Sequence, residues 1–229
     1  MNNEYKKQHE RRMKMTISML SNYVTGREKT LNIGVSDIDD LLLSFFQDIY
    51  FGIPTDMYVP LDDVKRRLIQ LDIANRSEMT EKFGTIIFTE VMEHLMIDDE
   101  LIIRNICSLL ATHGILVLSV PNAATFLNRF KILFGRNVYW DKVNIIRGVY
   151  GGFGHIREYT FSEVQRLLST YFDIILIKGI NEYRSGIGRI INWLPKTFSN
   201  TILVICKKKS VEPVENVAKT DNHIGGTDK

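Results

Sequence analysis

Short apolar runs of strand length alternate with segments of helical pattern along most of this chain, and this alternation constrains the fold more than any other feature. The runs predict buried strands at 30–34, 49–53, 67–73, 84–89, 115–120, 172–177 and 201–206. Runs that are apolar throughout are typical of strands covered on both faces. The pattern therefore predicts an α/β fold, with a mostly parallel sheet that has helices on both faces.

The length of 229 residues and the apolar content of 45% favour one hydrophobic core over two. Residues 123–153 are too long for a simple connection and predict an inserted lid or substrate segment. The expected organisation is an N-terminal helix packing on the core in 1–27, a main domain in 28–209 and a disordered tail in 210–229.

Charge and cysteine content exclude some partners and compartments. The chain has 29 basic and 27 acidic residues, a balance that gives no reason to expect nucleic acid as a partner. Cys107 and Cys206 lie in apolar runs and read as core residues rather than a disulfide. The charged N-terminus has no apolar stretch behind it for a signal peptide or transmembrane segment, which favours the cytoplasm. The oligomeric state is left open.

Four segments carry a resemblance to a known family: TLNIGVSD, FGTIIFTEVMEHL, LLATHGILVLSVPN and GHIREYTFSEVQRLL, which begin at residues 30, 83, 109 and 154. In this order they resemble the class I S-adenosylmethionine-dependent methyltransferases of the small-molecule group. The resemblance implies a Rossmann-like seven-stranded sheet whose last strand is antiparallel. It also implies S-adenosylmethionine as the cofactor.

The first of these segments resembles the family's glycine-rich cofactor loop, which implies cofactor contacts for Asn32, Gly34 and Ser36. Only Gly34 of the family's three glycines is present, and Ile38 stands where the third is usual. A glycine allows a tight turn and close approach of the backbone. Ile38 therefore indicates either a different loop path or a partly filled pocket.

Acidic residues that the family places near the ribose and the adenine have imperfect counterparts. Pro54 stands where the ribose-binding acid is usual, and Asp56, two residues later, replaces it only if the loop is rearranged. Asp72 matches the acid near the adenine. Its alternative role is that of an ordinary aspartate capping a turn at the end of a strand.

The EVMEHL segment allows two interpretations. In the first, Glu90 and His94 line the cofactor pocket and no metal binds. In the second, Glu90, Glu93, His94 and the later His155 form a divalent-metal site, as in similar methyltransferases that modify catechol-like or ribose hydroxyls. Carboxylates and imidazoles suit a cation that lowers the pKa of a hydroxyl. The first interpretation is the prediction, and the metal set is kept as its alternative.

The GHIREY segment contains the candidate general base. Histidine is a common general base because its ordinary pKa lies near neutrality, and His155 precedes a predicted helix. Alternatively, Arg157, Glu158 and Tyr159 tie the loop to the sheet edge, with His155 as part of that structure. For Arg157 the structural interpretation is preferred, because buried arginines are usually paired.

The resemblance predicts O-methylation of a small-molecule or glycan-type acceptor. The loss of two of the three glycines of the cofactor loop supports an alternative, a catalytically inactive domain with a binding or scaffolding role. An NAD-linked oxidoreductase is disfavoured because residues 33–40 lack the full Gly-x-Gly-x-x-Gly turn. The aromatic and basic segment 126–150 indicates either a stacking surface for a planar acceptor or the core of an added subdomain. The apolar run around Trp193 indicates a surface helix or a patch near a membrane.

Overall fold

A computed structural model describes residues 3–36, 39–54, 67–75, 80–139, 143, 154–181 and 193–210. These residues form a seven-stranded sheet in the order β3-β2-β1-β4-β5-β7-β6. The strands are β1 Thr30–Ile33, β2 Ile49–Ile53, β3 Arg67–Gln70, β4 Phe83–Thr89, β5 Leu110–Pro121, β6 Phe172–Ile180 and β7 Thr201–Lys208.

The sheet is parallel from β3 to β5, and its strand order reverses at β1. Strand β1 pairs in parallel with β2 on one side, where Asn32 lies opposite Phe51, and with β4 on the other, where it lies opposite Ile87. Ligands of open α/β sheets bind at such a switch point, outside the carboxyl ends of the strands. The fold therefore directs attention to the residues that follow β1 and β4.

Strand β7 lies between β5 and β6 and is antiparallel to both. Its residues Thr201 to Cys206 are buried, as expected for a strand with neighbours on both sides. The seven-stranded, Rossmann-like sheet with an antiparallel last strand, which the resemblance implied, is confirmed.

The helices are α1 Asn3–Leu20, α2 Asp39–Phe45, α3 Asp99–Leu109, α4 Phe126–Leu133 and α5 Phe161–Ser169, and all but α4 cover the faces of the sheet. The apolar stripes of α3 and α5 pack on one face, for example through Ile106 and Leu168. Met13 and Leu20 of α1 and Leu42 of α2 pack on the other. Cys107 and Cys206 are both buried and free.

The bounds of β5 and β3 differ from the prediction. Helix α3 ends at Leu109 without a glycine, and Lys208 Nζ donates to its Cys107 carbonyl oxygen at 2.8 Å. Strand β5 begins at Leu110, before the predicted start at residue 115, and it includes His113, which has a φ of 62° beside an irregularity in the pairing with β4. Strand β3 ends at Gln70, short of the predicted Ile73.

The region after β5 was expected to be irregular, but it begins with α4. Thr125 caps this helix by accepting from the Asn128 amide at 3.1 Å. Residues 140–153 of the predicted insert, except Val143, lie outside the described residues, as does the tail from residue 211. The division into domains stays a prediction. No helix in the described part of the chain is long and apolar enough to cross a membrane.

Candidate functional site

A cavity of about 150 Å³ opens where β1 and β4 diverge at their carboxyl ends. Helix α1 forms its opposite wall. The cavity is lined by His9, Arg12, Met13, Thr16, Asn32, Ile33, Gly34, Val35, Ser36, Asp39, Thr89, Glu90, Val91 and Ser119. Of the predicted cofactor contacts, the structure thus brings Asn32, Gly34, Ser36 and Glu90 together around one space.

The turn after β1 depends on Gly34. Its φ of 101° is one that L side chains rarely adopt, and a Cβ there would lie 3.3 Å from Val91 Cγ2. The Gly34 amide donates to the Gly52 carbonyl oxygen at 2.8 Å, and the buried Asn32 Nδ2 donates to the Gly34 carbonyl oxygen at the same distance. This close approach of backbone to β4 leaves the space beneath the turn open.

Asp39 holds the far side of this turn, a role that sequence reasoning did not assign. The Ser36 amide donates to Asp39 Oδ2 and the Ser36 hydroxyl to Oδ1, both at 2.9 Å. Asp39 is buried in the first turn of α2, where a carboxylate is favoured. Ile38 and Asp37 lie outside the described residues, so the alternative in which Ile38 fills the pocket stays a prediction.

Glu90 follows β4 with an unusual backbone conformation and two charged or polar partners. Its φ of 55° is in the left-handed region, which costs a non-glycine residue about 1 kcal/mol or more. Its Oε1 accepts from the Ser119 hydroxyl at 2.7 Å, and its Oε2 lies 3.1 Å from Arg12 Nη1. The Arg12 and Glu90 side chains are only 11% and 18% exposed. A mostly buried cation and anion therefore meet in the cavity wall.

Helix α1 contributes two residues that sequence reasoning missed, His9 and Arg12. They lie one helical turn before Met13 and Thr16, which are buried. Residues at this spacing share one face of a helix, so His9 and Arg12 are on the face of α1 that packs on the sheet. Burial, followed by the positive charge of Arg12, lowers the pKa of His9 to about 4. His9 is therefore neutral at physiological pH.

A second cluster contains Glu93, His94 and His155, whose potential ligand atoms all lie within 4.8 Å of one another. Among the described residues, neither carboxylate oxygen of the buried Glu93 has a hydrogen-bond partner. His94 Nε2 lies 3.7 Å from Glu93 Oε1. Burial, with the negative charge of Glu90 second, raises the pKa of Glu93 well above its ordinary value.

The tautomer of His94 follows from its other contact. His94 Nδ1 lies 3.4 Å from the Gly154 carbonyl oxygen, which only accepts, so this nitrogen carries the proton. Nε2 lies on the side of Glu93. The structure therefore divides the proposed metal set: Glu93, His94 and His155 form one cluster, whereas Glu90 contacts Arg12 and Ser119 in the wall of the cavity.

The GHIREY segment supplies both a candidate base and structural ties. His155 Nδ1 lies 3.3 Å from Glu158 Oε1. Arg157 contacts Asp99 at 2.9 Å and Glu163 at 3.1 Å. These ion pairs connect the first turns of α3 and α5, in agreement with the structural interpretation of Arg157.

Buried Tyr159 strengthens the same connection. Its hydroxyl donates to Asp99 Oδ1 at 2.8 Å, and burial and this bond raise its pKa. Its backbone also bridges to Asn122 at the end of β5. The segment is thus fixed against the sheet at the edge where the cavity opens.

Of the remaining predicted cofactor contacts, His94 is not among the residues that line the cavity, and Asp72 follows β3. The Asp72 carboxylate accepts from the Ala74 amide at 2.9 Å and from the Asn75 side chain, and the bond to Asn75 is the main cause of its lowered pKa. The turn-capping role is therefore present, while the adenine role stays a prediction. Asp56 lies outside the described residues.

Solved structures share this architecture. The N-methyltransferase NodS from Bradyrhizobium japonicum, in complex with S-adenosylhomocysteine, is 15% identical over 90% of this chain and 88% of its own, with a TM-score of 0.53. The magnesium protoporphyrin IX methyltransferase from Synechocystis, also with S-adenosylhomocysteine, is 14% identical over 91% and 89%, with a TM-score of 0.57. This chain has the class I methyltransferase fold.

A third structure with the methyltransferase fold contains both a methyl acceptor and product cofactor. It is the 1,6-didemethyltoxoflavin-N1-methyltransferase from Burkholderia thailandensis, 13% identical over 86% of this chain and 78% of its own, with a TM-score of 0.57. No family model and no curated protein matches the sequence. The likeness to these methyltransferases is therefore one of fold.

Proposed function

We propose that this protein is an S-adenosylmethionine-dependent methyltransferase that modifies a hydroxyl of a small-molecule or glycan-type acceptor. The observation that carries the proposal is the open cavity beneath the left-handed turn at Gly34, at the switch point between β1 and β4. Structures of the same fold hold S-adenosylhomocysteine. Methyl transfer depends mainly on alignment of the donor with the acceptor, which a binding site at the switch point of the sheet can provide.

The charges of the cavity suit the amino-acid end of this cofactor. That end is a zwitterion, with one carboxylate and one ammonium group. Arg12 and Glu90 offer a cation and an anion that lie 3.1 Å apart, and Asn32 and Gly34 bring backbone and amide groups to the same space. These residues would hold the cofactor, with Asp72 as the candidate adenine contact.

Methyl transfer to oxygen needs a residue that removes the hydroxyl proton. When bound, S-adenosylmethionine supplies an electrophilic sulfonium methyl group. His155 is the proposed base, and Glu158, at 3.3 Å from its Nδ1, orients the ring and stabilises its protonated form. His155→Gln is expected to lower kcat by about 100-fold or more with a smaller change in cofactor affinity.

Calorimetric titration with S-adenosylmethionine and S-adenosylhomocysteine tests the cofactor proposal. Gly34→Arg is expected to abolish binding, because a side chain there meets Val91 and requires a strained backbone. Gly135→Arg is the matched control, since Gly135 also has a positive φ but has no atoms within 4 Å of its Cβ position. Absence of binding to the folded wild-type protein would favour the inactive scaffolding alternative.

A metal-dependent form of the same reaction is the second candidate, and Glu93 favours it. A buried carboxylate without a hydrogen-bond partner among the described residues, together with the rings of His94 and His155, is a suitable ligand set for a divalent cation. Such a cation would lower the pKa of an acceptor hydroxyl. In this form His155 is a ligand rather than the base.

Thermal unfolding with Mg²⁺, Mn²⁺ or EDTA separates the two forms. The metal form predicts that Mn²⁺ raises the Tm of the wild-type protein and of Glu100→Gln, an exposed control at the start of α3, but not of Glu93→Gln. Equal Tm values in Mn²⁺ and EDTA would leave His155 as the base.

A further inference from the structure

Helix α4 presents apolar side chains to solvent although it is well formed. None of its residues is buried, and Leu133 and the following Phe134 are 74% and 71% exposed. Soluble monomers seldom leave such residues grouped on their surface. The group needs an explanation beyond that of single exposed apolar residues.

The residues of α4 are distributed as on helices that lie in a membrane interface. At 100° per residue, an apolar arc of roughly 120° contains Phe126, Leu127, Phe130 and Leu133 of the helix and Phe134 just after it, whereas Ile132, which is 60% exposed, lies outside this arc. Arg129 lies beside one border of this arc and Lys131 beside the other. Basic side chains at both borders reach lipid headgroups when the apolar arc enters the acyl boundary.

A second segment continues this surface. The Phe126 and Phe198 rings lie 6.3 Å apart, and the Arg129 guanidinium lies 4.3 Å from the Phe198 ring centroid. Trp193, five positions before Phe198, is 91% exposed. Tryptophan is enriched where protein meets the membrane interface. We call residues 126–139 and 193–198 together the α4 surface.

The charge of the α4 surface is one-sided. It contains Arg129, Lys131, Arg136 and Lys196 and no Asp or Glu, although the whole chain has 29 basic and 27 acidic residues. Such a local excess of positive charge complements an anionic lipid headgroup layer, which each nearby Lys or Arg stabilises. A nucleic acid would match the charge but would not bury Leu127, Leu133 and Phe134.

We propose that the α4 surface docks on an anionic lipid membrane, with the apolar arc in the interface and the basic residues at the headgroups. The helix follows β5 after a short turn, in which Asn128 Nδ2 donates to the Ala123 carbonyl oxygen at 3.0 Å. The helix therefore lies at the carboxyl end of β5, the end that also carries Ser119 and the cavity. This docking does not require methyl transfer.

Vesicle flotation of the full chain tests the proposal, with phosphatidylcholine vesicles that contain or lack phosphatidylglycerol. We expect binding only when phosphatidylglycerol is present. Phe130→Ser with Leu133→Ser is expected to lower the bound-to-free ratio at least about tenfold. Met96→Ser with Ile175→Ser is the control, because both residues are exposed apolar side chains outside the α4 surface.

A charge pair of variants completes the test. Lys131→Glu with Arg136→Glu is expected to abolish binding, whereas Lys7→Glu with Lys178→Glu, with the same change in net charge, retains it. Circular dichroism establishes that each variant folds, and titration with S-adenosylhomocysteine is independent of the vesicle result.

Two outcomes would overturn the proposal. One is equal vesicle binding by the wild-type protein and the Phe130→Ser, Leu133→Ser variant. The other is absence of vesicle binding together with a concentration-dependent dimer that the same variant abolishes, which would assign the α4 surface to a second copy of the chain.

Discussion

Glu90 and Glu93 are three residues apart in one motif, yet their carboxylates have opposite environments. Glu90 contacts Arg12 at 3.1 Å and accepts from Ser119 at 2.7 Å. Glu93 is buried, and in the described part of the structure neither of its oxygens has a hydrogen-bond partner. Its pKa is raised by burial, whereas Glu90 lies beside a guanidinium.

This difference shows that the motif contributes to two separate sites, the cavity and the histidine cluster. Glu90 directly follows β4 in a left-handed conformation and faces the cavity below Gly34. The 3₁₀ turn Met92–His94 then directs Glu93 toward the histidines. We therefore expect that neutralising Glu90 and neutralising Glu93 change the free energy of unfolding in opposite directions.

The largest effect is expected for Glu90→Gln. The substitution removes the ion pair with the Arg12 guanidinium, which is only 11% exposed. We therefore expect a loss of about 2 kcal/mol in the free energy of unfolding. Glu10→Gln is the control, since its pair with Lys14 is exposed and should cost less than about 0.5 kcal/mol. Urea denaturation measures both, and equal small losses would refute a buried pair.

Glu93→Gln should have the opposite sign at pH 8. Because the folded-state pKa of Glu93 is raised, the stability from its protonated form is full below the ordinary pKa of 4.5 and is lost as pH rises through the folded value. The variant should therefore gain stability relative to wild type between pH 5 and pH 8, as checked by urea denaturation with metal removed. A loss at pH 8 comparable to that of Glu90→Gln would show that Glu93 is ionised and paired.

Ser119→Ala tests the second partner of Glu90. It removes one hydrogen bond to a charged group in a buried site, so we expect a loss of about 1 kcal/mol. Ser44→Ala is the control, because the Ser44 hydroxyl donates only to the Leu41 carbonyl oxygen on an exposed helix face. Chemical denaturation should give almost no change for Ser44→Ala.

The smallest effect concerns His9 and pH. Its pKa of about 4 is below the ordinary 6.5, so the stability of the neutral form is complete above pH 6.5 and is lost as pH falls through 4. Wild type should lose stability relative to His9→Gln over this window, by less than about 1 kcal/mol because the ring is partly exposed. Thermal unfolding at several pH values in this window measures the effect. A Tm that falls equally with pH in the wild type and in His9→Gln would contradict this expectation.

Most of the fold was predictable because strands covered on both faces, whether parallel or antiparallel to their neighbours, are continuous apolar runs. Residues 84–89 and 201–206 illustrate this, and both strands have neighbours on each side. The start of β5 was not predictable, because His113 takes a positive φ at an irregularity that depends on the pairing with β4. Helix α4 was missed although Phe126, Phe130 and Leu133 recur at helical spacing, because the aromatic residues, basic residues and glycines of segment 123–153 favoured an inserted segment without regular structure.

The candidate site was predictable where its residues directly follow strands. Gly34 and Glu90 directly follow β1 and β4, and the sheet brings the carboxyl ends of these neighbouring strands together. Arg12 was not predicted, because which helix face covers the sheet depends on contacts distant in sequence. The spacing from Met13 and Thr16 carried the only signal for it.

The central position of β7 has a consequence for how the sheet forms. Until residues 201–208 have been synthesised, β5 has an open edge and β6 has no strand beside it in the described sheet. Such edges are templates for pairing with other chains. The final sheet therefore closes late in synthesis, by long-range pairing that is slow to form. Partial chains that end before β7 should aggregate.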